Sequence, residues 1–195
     1  MLEGAESILK PIKFAGLDAL KKIRVEKKYR PIELDQKLRF ERTRLEARLL
    51  HKAKQASVLC PYVYAVGKDF IIMQKINNAK TLNMIEDINP RIIEECAKIL
   101  SNMHSKDIIH GDFTTANIML DEQQKLYVID FGLGYIGQKD EDKAVDLLTM
   151  VNCLDDKDRK IFMCAYEKES TQNLKIALRM KKIESRARYK KREQT

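Results

Sequence analysis

No stretch of this 195-residue sequence approaches the roughly 20 consecutive apolar residues that a helix needs to cross a bilayer, so no membrane span is expected. The opening residues MLEGAESILK lack the basic and then apolar pattern of a secretory leader, and a cytoplasmic protein is expected. Cysteine is sparse: Cys60, Cys96, Cys153 and Cys164 are far apart and form no C-x-x-C pair, which argues against a disulfide framework or a zinc site. Cys96, Cys153 and Cys164 fall in apolar helical patterns, which predicts reduced, buried thiols. Internal repeats and low-complexity linkers are missing too, which excludes a solenoid or a repeat array.

What is present is the material of a folded protein. A hydrophobic fraction of 44% argues against general disorder. A chain of 195 residues can bury a sizeable core as one domain or as a small two-lobed one. The formal charge is +8, and its location matters more than its size: residues 175–193 carry nine basic side chains against two acidic ones. The remainder of the chain is close to neutral.

The first 30 residues read as short strands, ESILKPIKF and ALKKIRVEKKY, with turn signals near Pro11 and at GLD, residues 16–18. A long charged helix is predicted over about residues 34–55, with Leu34, Leu38, Leu45 and Leu49 on one stripe. PYVYAVGKDFIIMQKI, residues 61–76, reads as a hairpin turning at Gly67, Lys68 and Asp69. The period then becomes helical. Asn89 caps a helix with Pro90 at its first position, and Ile93, Cys96, Ala97, Leu100 and Met103 form its buried face. HGDFTTANIML and KLYVIDFG follow as loop, strand, turn and strand, and three helices fill the rest. The order predicts an α+β fold: a small β-rich lobe with one main helix, then a mostly helical lobe.

Two short stretches carry the chemistry. HGDFTTANIML (110–120) places His110, Asp112 and Asn117 in one loop, and VIDFG (128–132) follows a few residues later. Phosphoryl transfer from ATP needs a cover and a cation for the phosphates, hard oxygen ligands for Mg²⁺, and a carboxylate to orient the attacking hydroxyl or water. Asp112 is the candidate orienting carboxylate. Asn117 offers a neutral carbonyl oxygen to a metal, and Asp130 is a second metal ligand at the end of an apolar strand. The spacing D-x-x-x-x-N followed by D-F-G matches the protein-kinase catalytic loop and metal motif.

Upstream, a strand period of two puts Leu20, Lys22 and Arg24 on one face and Lys21 and Ile23 on the other. Lys22, two beyond an apolar residue, has the position of the lysine in V-A-I-K, although periodicity alone leaves Lys21 open. Glu46 in RTRLEARLL is preferred to Glu41 as its acid partner. GAES, that is Gly4, Ala5, Glu6 and Ser7, is the candidate phosphate-covering loop, with one glycine where ordinary kinases have G-x-G-x-x-G.

In order along the chain, GAES, KKIRVEKKYRPIELD, ERTRLEARLL, HGDFTTAN, VIDFGLG and EDKAVDLL resemble the small kinase/ATPase subunit of the KEOPS complex, which makes the threonylcarbamoyladenosine modification of tRNA. The likeness runs from residue 4 to the basic C-terminus. It implies a compact two-lobed protein-kinase-like fold, with an N-lobe over residues 1–76, a C-lobe over 77–195 and no extended activation segment. It implies ATP with Mg²⁺ as cofactors. It also implies contact with the threonylcarbamoyl-transferase subunit and other subunits of that complex. In some archaea the two are fused, and the start at MLEGAES suits a free subunit or a fusion domain.

On this reading Lys22 holds the α- and β-phosphates and is oriented by Glu46. Adenine lies near Met73, with the backbone of Gln74, Lys75 and Ile76 bonding the base. Asp146 in AVDLL holds the catalytic-loop backbone, and His110 packs and hydrogen-bonds rather than carrying a proton. His51 and His104 are given no role.

The chain departs from ordinary protein kinases in two ways. It reaches EDKAVDLL soon after D-F-G with no A-P-E, and Thr114 stands where a lysine is usual. Both fit ATP hydrolysis coupled to a complex, or autophosphorylation, at least as well as peptide phosphorylation. Arg186, Arg188, Lys190, Lys191 and Arg192 in RARYKKR suit a tRNA phosphate backbone, against the reading of a solvated basic helix end. The rival readings are a RIO-type or small-molecule kinase, and a catalytically idle scaffold that binds its partner and tRNA.

Overall fold

The computed structural model describes residues 2, 3 and 6–192, with side chains from residue 6 to residue 186. Five antiparallel strands, β1 (Leu2–Glu3), β2 (Ser7–Phe14), β3 (Leu17–Arg24), β4 (Val63–Val66) and β5 (Phe70–Gln74), form one sheet in the order β1-β2-β3-β5-β4. Between β3 and β4 runs a 24-residue helix, α1 (Ile32–Gln55). The second lobe contains β6 (Ala79–Thr81), β8 (Ile118–Asp121) and β9 (Leu126–Val128) in one small sheet, and β7 (Ile108–Ile109) paired with β10 (Tyr135–Ile136). Its helices are α2 (Pro90–Ser105), α3 (Asp140–Val151), α4 (Asp156–Glu169) and α5 (Thr171–Arg192). This is the α+β, two-lobed arrangement that the sequence predicts.

The β2–β3 hairpin turns at Ala15 (φ 48°) and Gly16 (φ 80°), closed by the pair Phe14 and Leu17. Two positive φ angles in a two-residue loop match the right-handed twist of the strands on either side. Pro11 is not a turn residue: it lies within β2 opposite Leu20. β1 registers only against Ile8 and Leu9, so Pro11 borders an open edge where its missing N–H leaves no ladder bond unmade. The β4–β5 hairpin turns where predicted, with Gly67 N donating to Phe70 O at 2.8 Å.

In α2 the cap is as read from sequence: the Asn89 side chain accepts from Arg91 N at 3.0 Å, with Pro90 in the first turn. Ile93, Cys96, Ala97, Leu100 and Met103 are fully buried. They join Phe113, Ile118, Val128, Phe131, Leu147, Phe162 and Tyr166 in the main core. Burying each large apolar side chain contributes about 1.5–3 kcal/mol. Leu49, Leu50 and Ala53, from the last turns of α1, belong to the same core and tie that helix to the second lobe.

The first half of α1 corrects the leucine stripe. Leu34 is exposed, and Leu38 and Leu45 are only partly buried. The inward face carries Asp35, Thr43 and Glu46 instead. Around Asp35 the partners of this face are charged and polar groups on α1 itself and on the segments that border the sheet. Asp35 accepts from Lys27 N at 3.2 Å and Arg39 Nε at 2.7 Å, and Arg39 Nη1 reaches Asp69 at 2.6 Å.

The four thiols are free, as expected, but two of them sit differently. Cys60 and Cys96 are buried, and burial pushes the Cys60 thiol up to about 11. Cys153 and Cys164 are exposed: α4 turns inward through Phe162 and Tyr166, and Cys153 lies just past the end of α3. Among the described residues no helix is long and apolar enough to cross a membrane.

Candidate active site

Lys22 and Arg24, two apart on β3, both point into the molecule, with only 5% and 6% of their surface exposed. Lys21 points the other way, its ammonium 4.0 Å from the centre of the Phe70 ring. The alternative that periodicity left open is thus resolved by which lysine enters the cleft. Lys22 Nζ donates to Glu46 Oε1 at 2.6 Å and to Asp130 Oδ1 at 2.7 Å. Glu41 is exposed and takes no part. Burial alone would lower the Lys22 pKa, but the two carboxylates outweigh it and hold it above the usual lysine value.

Asp130 is a left-handed residue (φ 59°) at the end of the segment that follows β9. Its Oδ1 also accepts from Gly132 N at 3.0 Å, which steadies the turn. Burial would raise its carboxyl pKa, and the Lys22 ammonium brings it below the usual range.

The loop bearing Asp112 is held from beneath by Asp146 of α3, whose two oxygens accept from His110 N at 2.7 Å and Gly111 N at 3.0 Å. Gly111 has φ 80°, and a Cβ there would sit 2.4 Å from the carbonyl oxygen of Leu133, so no larger residue fits the H-G-D turn. His110 donates from Nε2 to Ile129 O at 3.0 Å and accepts at Nδ1 from Asp112 N at 3.2 Å. Those two bonds use both nitrogens of a neutral ring. Burial lowers the His110 pKa despite nearby carboxylates, so the ring serves as a strut between loop and strand. Asn117 Nδ2 donates to Asp112 O and to Asp112 Oδ2, each at 2.9 Å. This orients the Asp112 carboxylate and leaves Asn117 Oδ1 as the oxygen able to ligate a cation.

A cavity of about 270 Å³ lies over these groups, lined by Glu6, Ser7, Lys22, Arg24, Asp112, Asp130, Gly132 and Leu133. The segment expected to cover phosphates therefore borders this cavity through Glu6 and Ser7, while Gly4 and Ala5 lie outside the described residues. Met73, Gln74, Lys75 and Ile76 are not in this wall. Met73 is buried in β5 opposite Leu20, Gln74 N already donates to Tyr62 O at 2.8 Å, and Lys75 N points to Asp18 O at 3.5 Å. The Gln74 N–H is thus taken up within the strand pairing. Among the described residues no group of three or more His, Cys, Asp or Glu gathers as a metal site. A Mg²⁺ here would rest on Asn117 and Asp130 with oxygens of its own ligand, which suits its preference for few protein carboxylates.

Two residues of the site were not singled out from sequence. Arg24 donates from Nη2 to Glu46 Oε2 at 2.5 Å, so one buried carboxylate answers two cations. Its place on the Lys22 face of the strand was the available signal. His104 meets the Tyr166 hydroxyl through Nδ1 at 2.6 Å and lies 3.5 Å from Asp146 through Nε2. It falls on the buried stripe of α2 with Ile93, Ala97 and Leu100, a spacing visible in the sequence. In the basic tail Arg186 is exposed on α5, while the side chains of Arg188, Lys190, Lys191 and Arg192 lie outside the described residues.

Comparison with known proteins agrees with this geometry. The RIO domain family matches residues 18–156. EKC/KEOPS complex subunit BUD32 of Encephalitozoon cuniculi is 37% identical over 192 residues, covering 95% of this chain and 94% of that protein. A probable bifunctional tRNA threonylcarbamoyladenosine biosynthesis protein of Methanobrevibacter smithii is 40% identical across 96% of this chain. The chain spans 36% of the length of that relative. In fold it is similar to the Rio2 kinase of Chaetomium thermophilum, solved as an ADP/Mg²⁺-phosphoaspartate complex, with a TM-score of 0.62 at 16% identity over 85% of this chain and 53% of that one. The RIO-type reading and the KEOPS-subunit resemblance are therefore one relationship rather than rivals. The chain belongs to the RIO domain family of atypical kinases, and to the group of relatives that includes EKC/KEOPS complex subunit BUD32.

Proposed function

We propose that this chain is a Mg-ATP-dependent kinase/ATPase, and that it works as the kinase-like subunit of a KEOPS-type complex supporting threonylcarbamoyladenosine modification of tRNA. The observation that carries the enzymatic part is Lys22 Nζ held between Glu46 and Asp130 at 2.6 and 2.7 Å. A buried ammonium is kept charged and aimed at the cleft between a fixed carboxylate and one half-exposed carboxylate. ATP with Mg²⁺ would supply an activated phosphoryl group and neutralise its oxygens. Lys22 would hold the phosphates, Glu46 would keep Lys22 in place, and Asn117 and Asp130 would take the cation. Asp112, its carboxylate fixed by Asn117, would accept the proton of the attacking hydroxyl or water.

Only residues 133–139 separate the D-F-G turn from α3, and β10 within them pairs with β7, so there is little chain to present a peptide. That favours ATP hydrolysis coupled to partners, or autophosphorylation, as the main activity. The names of the relatives support a KEOPS-type complex and tRNA modification, and a transferase subunit as direct partner is part of the same proposal. Under this reading residues 1–76 and 77–195 are the two lobes, the basic tail from Arg186 to Arg192 meets tRNA, and the protein works in the cytoplasm. The test is Mg²⁺-dependent ATP hydrolysis by wild type and Asp130→Ala, each alone and with the transferase subunit, with and without tRNA. Turnover that partner or tRNA stimulates and Asp130→Ala abolishes is expected. Nucleotide binding with neither hydrolysis nor autophosphorylation under any condition would put the scaffold reading ahead.

A further inference from the structure

The cleft holds a second buried cation besides Lys22. Arg24 is 6% exposed, yet it lines the cavity with Lys22 and Asp130. Its Nη2 is engaged by Glu46 Oε2 at 2.5 Å and by the Arg42 carbonyl at 3.4 Å. Among the described residues its buried Nε has no hydrogen-bond partner, and its Nη1 is 4.0 Å from Glu6 Oε2, beyond hydrogen-bonding length. A buried donor left unmade is costly, and an arginine fork is shaped to take paired anionic oxygens.

The geometry also shows where such oxygens would lie. A Cβ built on Gly132 would come 2.8 Å from Asp130 Oδ1, 3.6 Å from Lys22 Nζ and 3.8 Å from Arg24 Nη2. Two cations and the Asp130 carboxylate thus border the space above the D-F-G turn, and the carboxylate leaves no room there for a side chain. The nearby acidic group on the cover is Glu6, which pairs at 3.3 Å with Arg42 and approaches Arg24. With Glu46 offsetting part of the charge of Lys22, a polyphosphate would be under-neutralised by Lys22 alone.

We propose that Arg24 is a second phosphate-binding cation of this site, contacting the β- and γ-phosphates of a bound nucleotide alongside Lys22. This rests on the nucleotide-binding reading above and names a residue it leaves unassigned. The competing role is purely positional, with Arg24 doing no more than steadying Glu46 and hence Lys22.

The experiment is calorimetric titration of ATP, ADP and AMP with Mg²⁺ into wild type, Arg24→Gln, Arg24→Lys, Lys22→Met and the Lys22→Met/Arg24→Gln double variant, with folding checked by thermal melting. A direct contact predicts that Arg24→Gln weakens ATP by about tenfold or more while AMP changes little, because the lost bonds are charge-assisted. A loss should persist in the Lys22→Met background, although not at the same size, because Lys22 and Arg24 share Glu46 and such pairs do not simply add. Arg24→Lys keeps the charge without the fork and should fall between, and it carries the same comparison if Arg24→Gln does not fold. Equal weakening of all three nucleotides, no weakening of any, or an effect that vanishes in the Lys22→Met background overturns the proposal while leaving nucleotide binding in place. Absence of nucleotide binding by the wild type would overturn both readings together.

Discussion

Glu46 is 2% exposed and forms two short ion pairs, with Lys22 at 2.6 Å and Arg24 at 2.5 Å. The consequences of removing its partners are unequal. Glu46→Ala leaves two buried cations without that counter-charge, and a loss of about 3–5 kcal/mol in urea unfolding is expected. Lys22→Met leaves Glu46 still paired with Arg24 and should cost only about 1 kcal/mol. If the two losses were equal, the carboxylate would not be shared as the distances indicate. His104 and His110 are both held below the usual histidine value, chiefly by burial. The unfolded chain takes up these protons near pH ~6.5 while the folded one resists them. The stability they contribute is therefore complete above that pH and falls away as the pH drops toward their folded values. Urea midpoints measured from pH 7.5 to pH 5.5 should decline, and His110→Asn should make the decline shallower. A wild-type profile flat across that window would contradict the burial of both rings as neutral groups.

Among the elements, α2 and α1 illustrate two ways of being buried. In α2 the apolar period, the Asn89 cap and Pro90 all agree, so its start and inward face could be read directly. Leu100 is fully buried in the main core, and Leu100→Ala should cost about 2–5 kcal/mol. Asn89→Ala should cost about 1 kcal/mol through the lost cap bond. Denaturant unfolding of both variants would check the ranking, and a larger loss at Asn89 would mean that the cap does more than hold Arg91 N. α1 was legible as a helix but not in its orientation. Its leucines suggested an apolar stripe, yet it buries Asp35 against the Lys27 N–H and Arg39 of its own helix, and Glu46 against Lys22 and Arg24 of β3. A pattern of hydrophobicity cannot report a face that is buried because it is ionic.

For the whole molecule, α1 is the element that unites the lobes, placing Glu46 beside β3 while its last turns enter the core of the second lobe. The basic tail is the outlying part of the functional reading. Replacing Arg186, Arg188, Lys190, Lys191 and Arg192 by glutamine should lower tRNA affinity and flatten its salt dependence by about one unit of slope per lost phosphate contact. Filter binding across a salt series would measure this, and an unchanged slope would return the tail to a solvated helix end. The sequence by itself determined the identity and order of Asp112, Asn117 and Asp130. It also determined the cap and face of α2 and the strand face shared by Lys22 and Arg24. These are local matters of spacing, period and side-chain chemistry. Only the tertiary structure decided that Lys22 rather than Lys21 enters the cleft, that Glu46 answers two cations, that His104 stands behind Asp146, and that Cys153 and Cys164 face outward. Each depends on which element packs against which, and contacts between residues as far apart in the chain as Lys22 and Asp130 are set by the packed fold rather than by any local pattern.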